Sequence, residues 1–117
     1  MTPAELQQKL EEKLNELATA NEKYKDLYLD YINKQNEYKK EYSKKYLEIK
    51  ANSDTKMTIN ELDAKTSIET AKLKLNSDIA EGLFKAHREA MSTLKMEIDT
   101  LRTLLSYQKA ELERTER

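Results

Sequence analysis

Leu10, Leu17, Tyr24, Tyr31 and Tyr38 recur at seven-residue intervals, and so do Phe84, Met91, Ile98, Leu105 and Leu112. An apolar period of about 3.5 residues is that of a helix meeting another helix along one stripe, whereas a half-buried strand needs a period of two. Leu6, Leu14, Leu27, Tyr28, Tyr42, Tyr46 and Ile49 flank the first series, and Ala80, His87, Leu94 and Leu101 interleave with the second. The 117 residues include one Gly and one Pro, and charged residues (37%) nearly equal hydrophobic ones (38%), as in long helices and coiled coils. The expected fold is therefore all-α, a single helical domain over residues 1–117.

Two similar phrases, MTPAEL from Met1 and KMTINEL from Lys56, mark where helices begin. In each a Thr is followed three residues later by Glu (Thr2 with Glu5, Thr58 with Glu61), a capping box in which hydroxyl and carboxylate satisfy orphan backbone N–H groups. Met1 and Met57 are placed to pack on Leu6 and Leu62 as staples, and Pro3 takes a first-turn site where its missing N–H costs nothing. An internal duplication is the alternative, but the likeness fades after Lys9 and Lys65. Asn52-Ser53-Asp54-Thr55 competes locally for backbone hydrogen bonds and ends the first helix. The expected elements are a helix over about 3–51, a turn over 52–57 and a second helix over about 58–114. In the second helix the upstream apolar stripe shifts to Ile68, Ala71, Leu75 and Ile79, near Asn76-Ser77-Asp78 and Gly82. A stutter or bend near 76–82 follows from that shift, with a true break there, giving three helices, as the competing reading.

A short turn makes the rods antiparallel neighbours, a coiled-coil-like hairpin in which facing residue numbers sum to roughly 109. That register sets Leu17 near Met91 and Leu94, Tyr24 near Phe84 and His87, and Tyr38, Tyr42 and Tyr46 opposite Ala64, Thr66, Ser67, Thr70 and Ala71. It also lets the second helix overhang the start of the first, carrying Leu105 and Leu112, so Leu101, Leu105 and Leu112 are the expected oligomer interface. A two-helix hairpin buries one stripe per helix, which is thin for a domain of this size. A homo-oligomer, a dimer or higher assembly forming a helix bundle, is expected.

For chemistry the sequence offers little. One Gly cannot build a phosphate-cradling loop, and one His without Cys does not suit a zinc or iron site, so no metal, no cofactor and no enzyme activity are expected. No apolar run has membrane-spanning length, the N-terminus lacks a signal-peptide core, and a net charge of −1 gives no general pull toward nucleic acid or membrane. A cytoplasmic protein with no membrane partner is expected.

Six of the seven tyrosines lie between Tyr24 and Tyr46, running into YKKEYSKKYLEIK. Rings that stack on bases beside lysines that meet phosphates suit single-stranded nucleic acid or a nucleotide, with Tyr38, Tyr42, Tyr46, Lys39 and Lys45 as candidate ligands. Rings at helical spacing equally make an interface seam with wet hydroxyl edges, their lysines complementing the helix C-terminus. His87 on the seam is either an interface residue satisfied by its neighbours or a further ligand-binding group. Arg88 and Arg102, fourteen residues apart, project from one side of the second helix; with Arg114 and Arg117 they are all the arginines, suited to partner recognition or to inter-subunit ion pairs.

AHREAMSTLKMEIDTLRTLLSYQKAEL, with the Thr-capped, Lys/Glu/Tyr-rich first helix, resembles small all-helical accessory proteins of phages and prophages of Gram-positive bacteria. The resemblance covers the C-terminal third. It implies a non-enzymatic protein in the host cytoplasm, in a class whose roles run from replication accessories to inhibitors that neutralise a host defence by binding a protein or capturing its nucleotide signal. A protein partner is the leading expectation and a nucleotide or single-stranded nucleic acid the alternative; the resemblance assigns no functional residue.

Overall fold

The structure, a computed structural model, describes residues 1–116, so Arg117 lies outside the described residues. It holds three helices, α1 (Pro3–Asn52), α2 (Ile59–Glu69) and α3 (Ala71–Glu116), and no strand among the described residues. The long helices α1 and α3 pack against each other as an antiparallel hairpin.

Both expected starts form. The Glu5 amide donates to Thr2 Oγ1 at 3.2 Å, and at α2 the capping box is complete: Glu61 N–H to Thr58 Oγ1 at 3.1 Å and Thr58 N–H to Glu61 Oε2 at 3.4 Å. Met1, expected as a staple, is exposed, while its carbonyl accepts from Gln108 Nε2 at 2.9 Å.

The interruption in the second half lies at Thr70, not at 76–82. Thr66 and Thr70 are the most deeply buried side chains among the described residues. With no water to bond, Thr66 Oγ1 donates to the Leu62 carbonyl at 2.6 Å and Thr70 Oγ1 to the Thr66 carbonyl at 2.8 Å. Such i−4 back-bonding competes with the backbone ladder and bends helices. The path at Thr70 opens to φ −107°, ψ 8°, while Thr70 N–H to Thr66 O at 3.0 Å and Lys74 N–H to Thr70 O at 3.1 Å keep the ladder linked. α3 then runs unbroken through Gly82, where an added Cβ would meet nothing within 4 Å.

The chain divides into two compact units. Met1–Lys25 with the chain from Lys85 onward forms the leucine unit, and Asp26–Phe84 the tyrosine unit. In the leucine unit Leu6 and Leu10 of α1 join Leu94, Ile98, Leu101 and Leu105 of α3 in one core, with Leu17 packed against it as the register required. Each such side chain contributes about 1.5–3 kcal/mol on burial. Leu101 and Leu105 are thus covered within the chain and Leu105 does not overhang, because Leu6 and Leu10 reach it; of the three residues assigned to an oligomer interface only Leu112 is exposed.

In the tyrosine unit the buried positions are Leu62, Thr66, Thr70, Ser77, Ala80 and Phe84. From Thr66 onward, with half-buried Leu73, they keep the alternating four- and three-residue spacing that His87, Met91, Leu94, Ile98, Leu101 and Leu105 follow in the leucine unit, whereas Leu62, Thr66 and Thr70 are spaced by two successive fours. The heptad therefore holds its phase from Thr66 onward, and there is no stutter near 76–82. Ile68, Ala71, Leu75 and Ile79, expected on the seam, are exposed. Large rings on α1 need small partners, so Thr, Ser and Ala occupy the seam and the aliphatic residues fall outside it.

Candidate binding surface

The tyrosines of the second unit pack on one another and on Phe84, and the hydroxyls of Tyr31 and Tyr42 have partners within the chain. Phe84 stacks on Tyr31 (centroids 5.5 Å apart, planes at 9°) and meets Tyr28 edge-on (5.5 Å, 69°). The register had aimed Phe84 at Tyr24; its ring partners lie four and seven residues further along α1. The Tyr31 hydroxyl accepts from Gln35 Nε2 at 3.1 Å. Tyr38 and Tyr42 pack edge-to-face at 6.0 Å, and Tyr42 and Tyr46 lie near parallel at 6.5 Å.

Tyr42 carries the polar centre of this row. Its hydroxyl donates to Asp63 Oδ1 at 3.0 Å, a contact from α1 to α2. That bond to the carboxylate, reinforced by burial and by the negative charge of Asp63, raises the phenol above its ordinary range, against an opposing hydrogen bond with Ser67. Ser67 stands opposite Tyr42, as the register expects; Asp63 is one acid among 22 and carried no signal in the sequence.

The other candidate ligands disperse. Lys39 is exposed, while Lys45 bonds Glu48 at 3.5 Å and lines a hollow of about 500 Å³ with Ile49, Asn52, Met57 and Ile68. Tyr46 belongs to a separate hollow of about 390 Å³ at the turn, with Lys50, Asp54, Lys56 and Leu62. His87 and exposed Arg88 belong to the leucine unit. There the His87 ring lies 2.7 Å from the Ala20 carbonyl; since a carbonyl only accepts, Nε2 carries the proton and donates. Nε2 of His87 is thereby engaged within the chain. Among the described residues no three His, Cys, Asp or Glu side chains gather as metal ligands, and no helix is long and apolar enough to cross a membrane.

A second feature of the leucine unit escaped the sequence reading. Lys9, Lys13, Thr93, Met96, Thr100 and Leu101 line a mostly apolar groove of about 480 Å³ between α1 and α3. Lys13 Nζ spans it to Glu97 at 2.9 Å and approaches Glu16 at 3.7 Å. The hydrogen bond to Glu97 raises the ammonium above the ordinary lysine range against the opposing effect of burial. Met96 lies off the heptad and is exposed beside this groove; a large flexible side chain out of phase with the seam was the available signal. Comparison with known protein families, curated proteins and solved structures finds no match.

Proposed function

We propose that this chain is a non-enzymatic phage accessory protein that works in the host cytoplasm by binding a protein partner as a helical oligomer, inhibition of a host defence being a role within that class. The observation that carries the binding reading is the groove of the leucine unit, where exposed Met96 and the stems of Lys9 and Lys13 offer apolar area with charged tips. Flexible methionine beside long amphipathic side chains suits the apolar face of a partner helix. The phage assignment rests on the resemblance of the C-terminal third to phage accessory proteins.

The alternative ligand, a nucleotide or single-stranded nucleic acid on the Tyr/Lys surface, has in its favour the half-exposed rings Tyr38, Tyr42 and Tyr46 beside exposed Lys39. Against it, the same surface holds Asp63 and Glu48, whose charges repel phosphate, and the Tyr42 hydroxyl is already engaged.

A photo-crosslinker at position 96 separates the two. The protein reading expects a discrete adduct with one host polypeptide, competed by unlabelled wild type and not by Thr93→Glu. No adduct, together with salt-dependent retention of a labelled oligonucleotide that Lys39→Glu weakens, supports the alternative instead.

A further inference from the structure

The heptad phase of the tyrosine unit leaves a second apolar stripe uncovered. Ile68, Leu75, Ile79 and Leu83 are each more than half exposed (53–75%). At 100° per residue Leu75 and Ile79 lie on the side of α3 away from Leu73, Ser77, Ala80 and Phe84, which face the hairpin seam, and Leu83 lies at the border between the two sides. Gly82 borders the same stripe with open space around it, so another backbone can approach closely there.

The stripe is complementary to itself. Exposed Lys74 and Asp78 stand on one flank. In an antiparallel pair of helices each flank meets its own copy, and a register in which facing numbers sum to about 151–154 satisfies every member at once. Leu75 meets Ile79 of the second copy, Ile68 meets Leu83, and Lys74 meets Asp78, each contact occurring twice about a two-fold axis near residues 76–77.

We infer that the occupant of this stripe is a second copy of the chain, docked antiparallel through α2 and the start of α3 in the tyrosine unit. This deepens the oligomer part of the proposed function and moves the interface from Leu101 and Leu105 to Ile68, Leu75, Ile79 and Leu83. It leaves the leucine-unit groove, and the crosslink at position 96, as a separate question.

A charge-swap cycle read by light scattering and sedimentation tests it on the full chain. Wild type has the mass of a dimer at micromolar concentration. Lys74→Asp and Asp78→Lys each place like charges across the axis and weaken self-association tenfold or more, with helicity unchanged by circular dichroism. The double swap restores the dimer, and mixing the two single variants restores it as a heterodimer, a rescue that requires position 74 to face position 78 of another copy. A monomeric wild type, or an oligomer indifferent to both swaps, overturns the inference. Either result leaves the crosslinking experiment at position 96 interpretable.

Discussion

The two units spend the same seven-residue period on different chemistry. In the leucine unit it is filled with Leu6, Leu10, Leu94, Ile98, Leu101 and Leu105, a dry core whose stabilisation is non-directional. In the tyrosine unit Thr66, Thr70, Ser77 and Ala80 fill it on the α2–α3 side, and Tyr28, Tyr31 and Tyr42 make ring or hydroxyl contacts from α1. The two buried threonine hydroxyls there donate to carbonyls one turn back, Thr66 to Leu62 and Thr70 to Thr66. The difference teaches that period sets which face is inside, while side-chain volume and polarity set how much that face stabilises. The leucine unit accordingly rests on non-directional burial, and the tyrosine unit on ring geometry and hydrogen bonds.

The sharpest way to break this contrast is to empty each core in turn. Ile98→Ala, at a site only 3% exposed, is expected to cost about 3 kcal/mol in urea unfolding, whereas Ser77→Ala, which removes a buried hydroxyl from a small site, changes stability little. Equal losses would mean that the two seams are energetically alike. Phe84→Leu comes next: with the Tyr31 stack and the Tyr28 edge contact gone, about 2 kcal/mol is expected, measured as a lower melting temperature. Thr58→Ala removes the hydroxyl that accepts from the Glu61 N–H, leaving only the backbone half of the capping box, and should cost about 1 kcal/mol. Hydrogen exchange should show that loss in amides 59–69 while those of 94–105 keep their rates.

The smallest effect is a pH dependence. Because the Asp63 hydrogen bond raises the Tyr42 phenol in the folded chain, the protonated form binds the folded state more tightly. Its stabilisation is complete below the ordinary tyrosine range and is lost as pH rises through the raised value. Thermal melts from about pH 8 to 11 should show a steeper alkaline decline for wild type than for Tyr42→Phe. Parallel curves would remove Tyr42 as the group responsible.

Where apolar content and period agree, the sequence revealed the structure. The series from Phe84 to Leu105, the packing of Leu17 and the cap at Thr58 are all legible because one residue type serves one purpose at each. Where they disagree, apolar content misled: Ile68, Leu75 and Ile79 drew the seam onto the wrong face, since a reading by hydrophobicity passes over a buried polar residue such as Ser77 in favour of its aliphatic neighbours. The interruption at Thr70 was hidden for a related reason. A buried threonine that bonds its own helix looks, in sequence, like a solvent-facing one. The groove at Met96 and the Tyr42–Asp63 contact depend on two segments meeting, and no local pattern encodes that meeting.

The phase of the seam in the tyrosine unit is the claim on which the rest depends, and a pair of aspartate substitutions tests it directly. Circular dichroism of Ser77→Asp and Ile79→Asp at submicromolar concentration compares a charge forced into the seam with one placed on the outer stripe. The account expects Ser77→Asp to lose the helical signal of the tyrosine unit and Ile79→Asp to retain wild-type helicity as a monomer. The opposite pattern, Ile79→Asp unfolding while Ser77→Asp melts like wild type, would put Ile68, Leu75 and Ile79 back on the seam and contradict it.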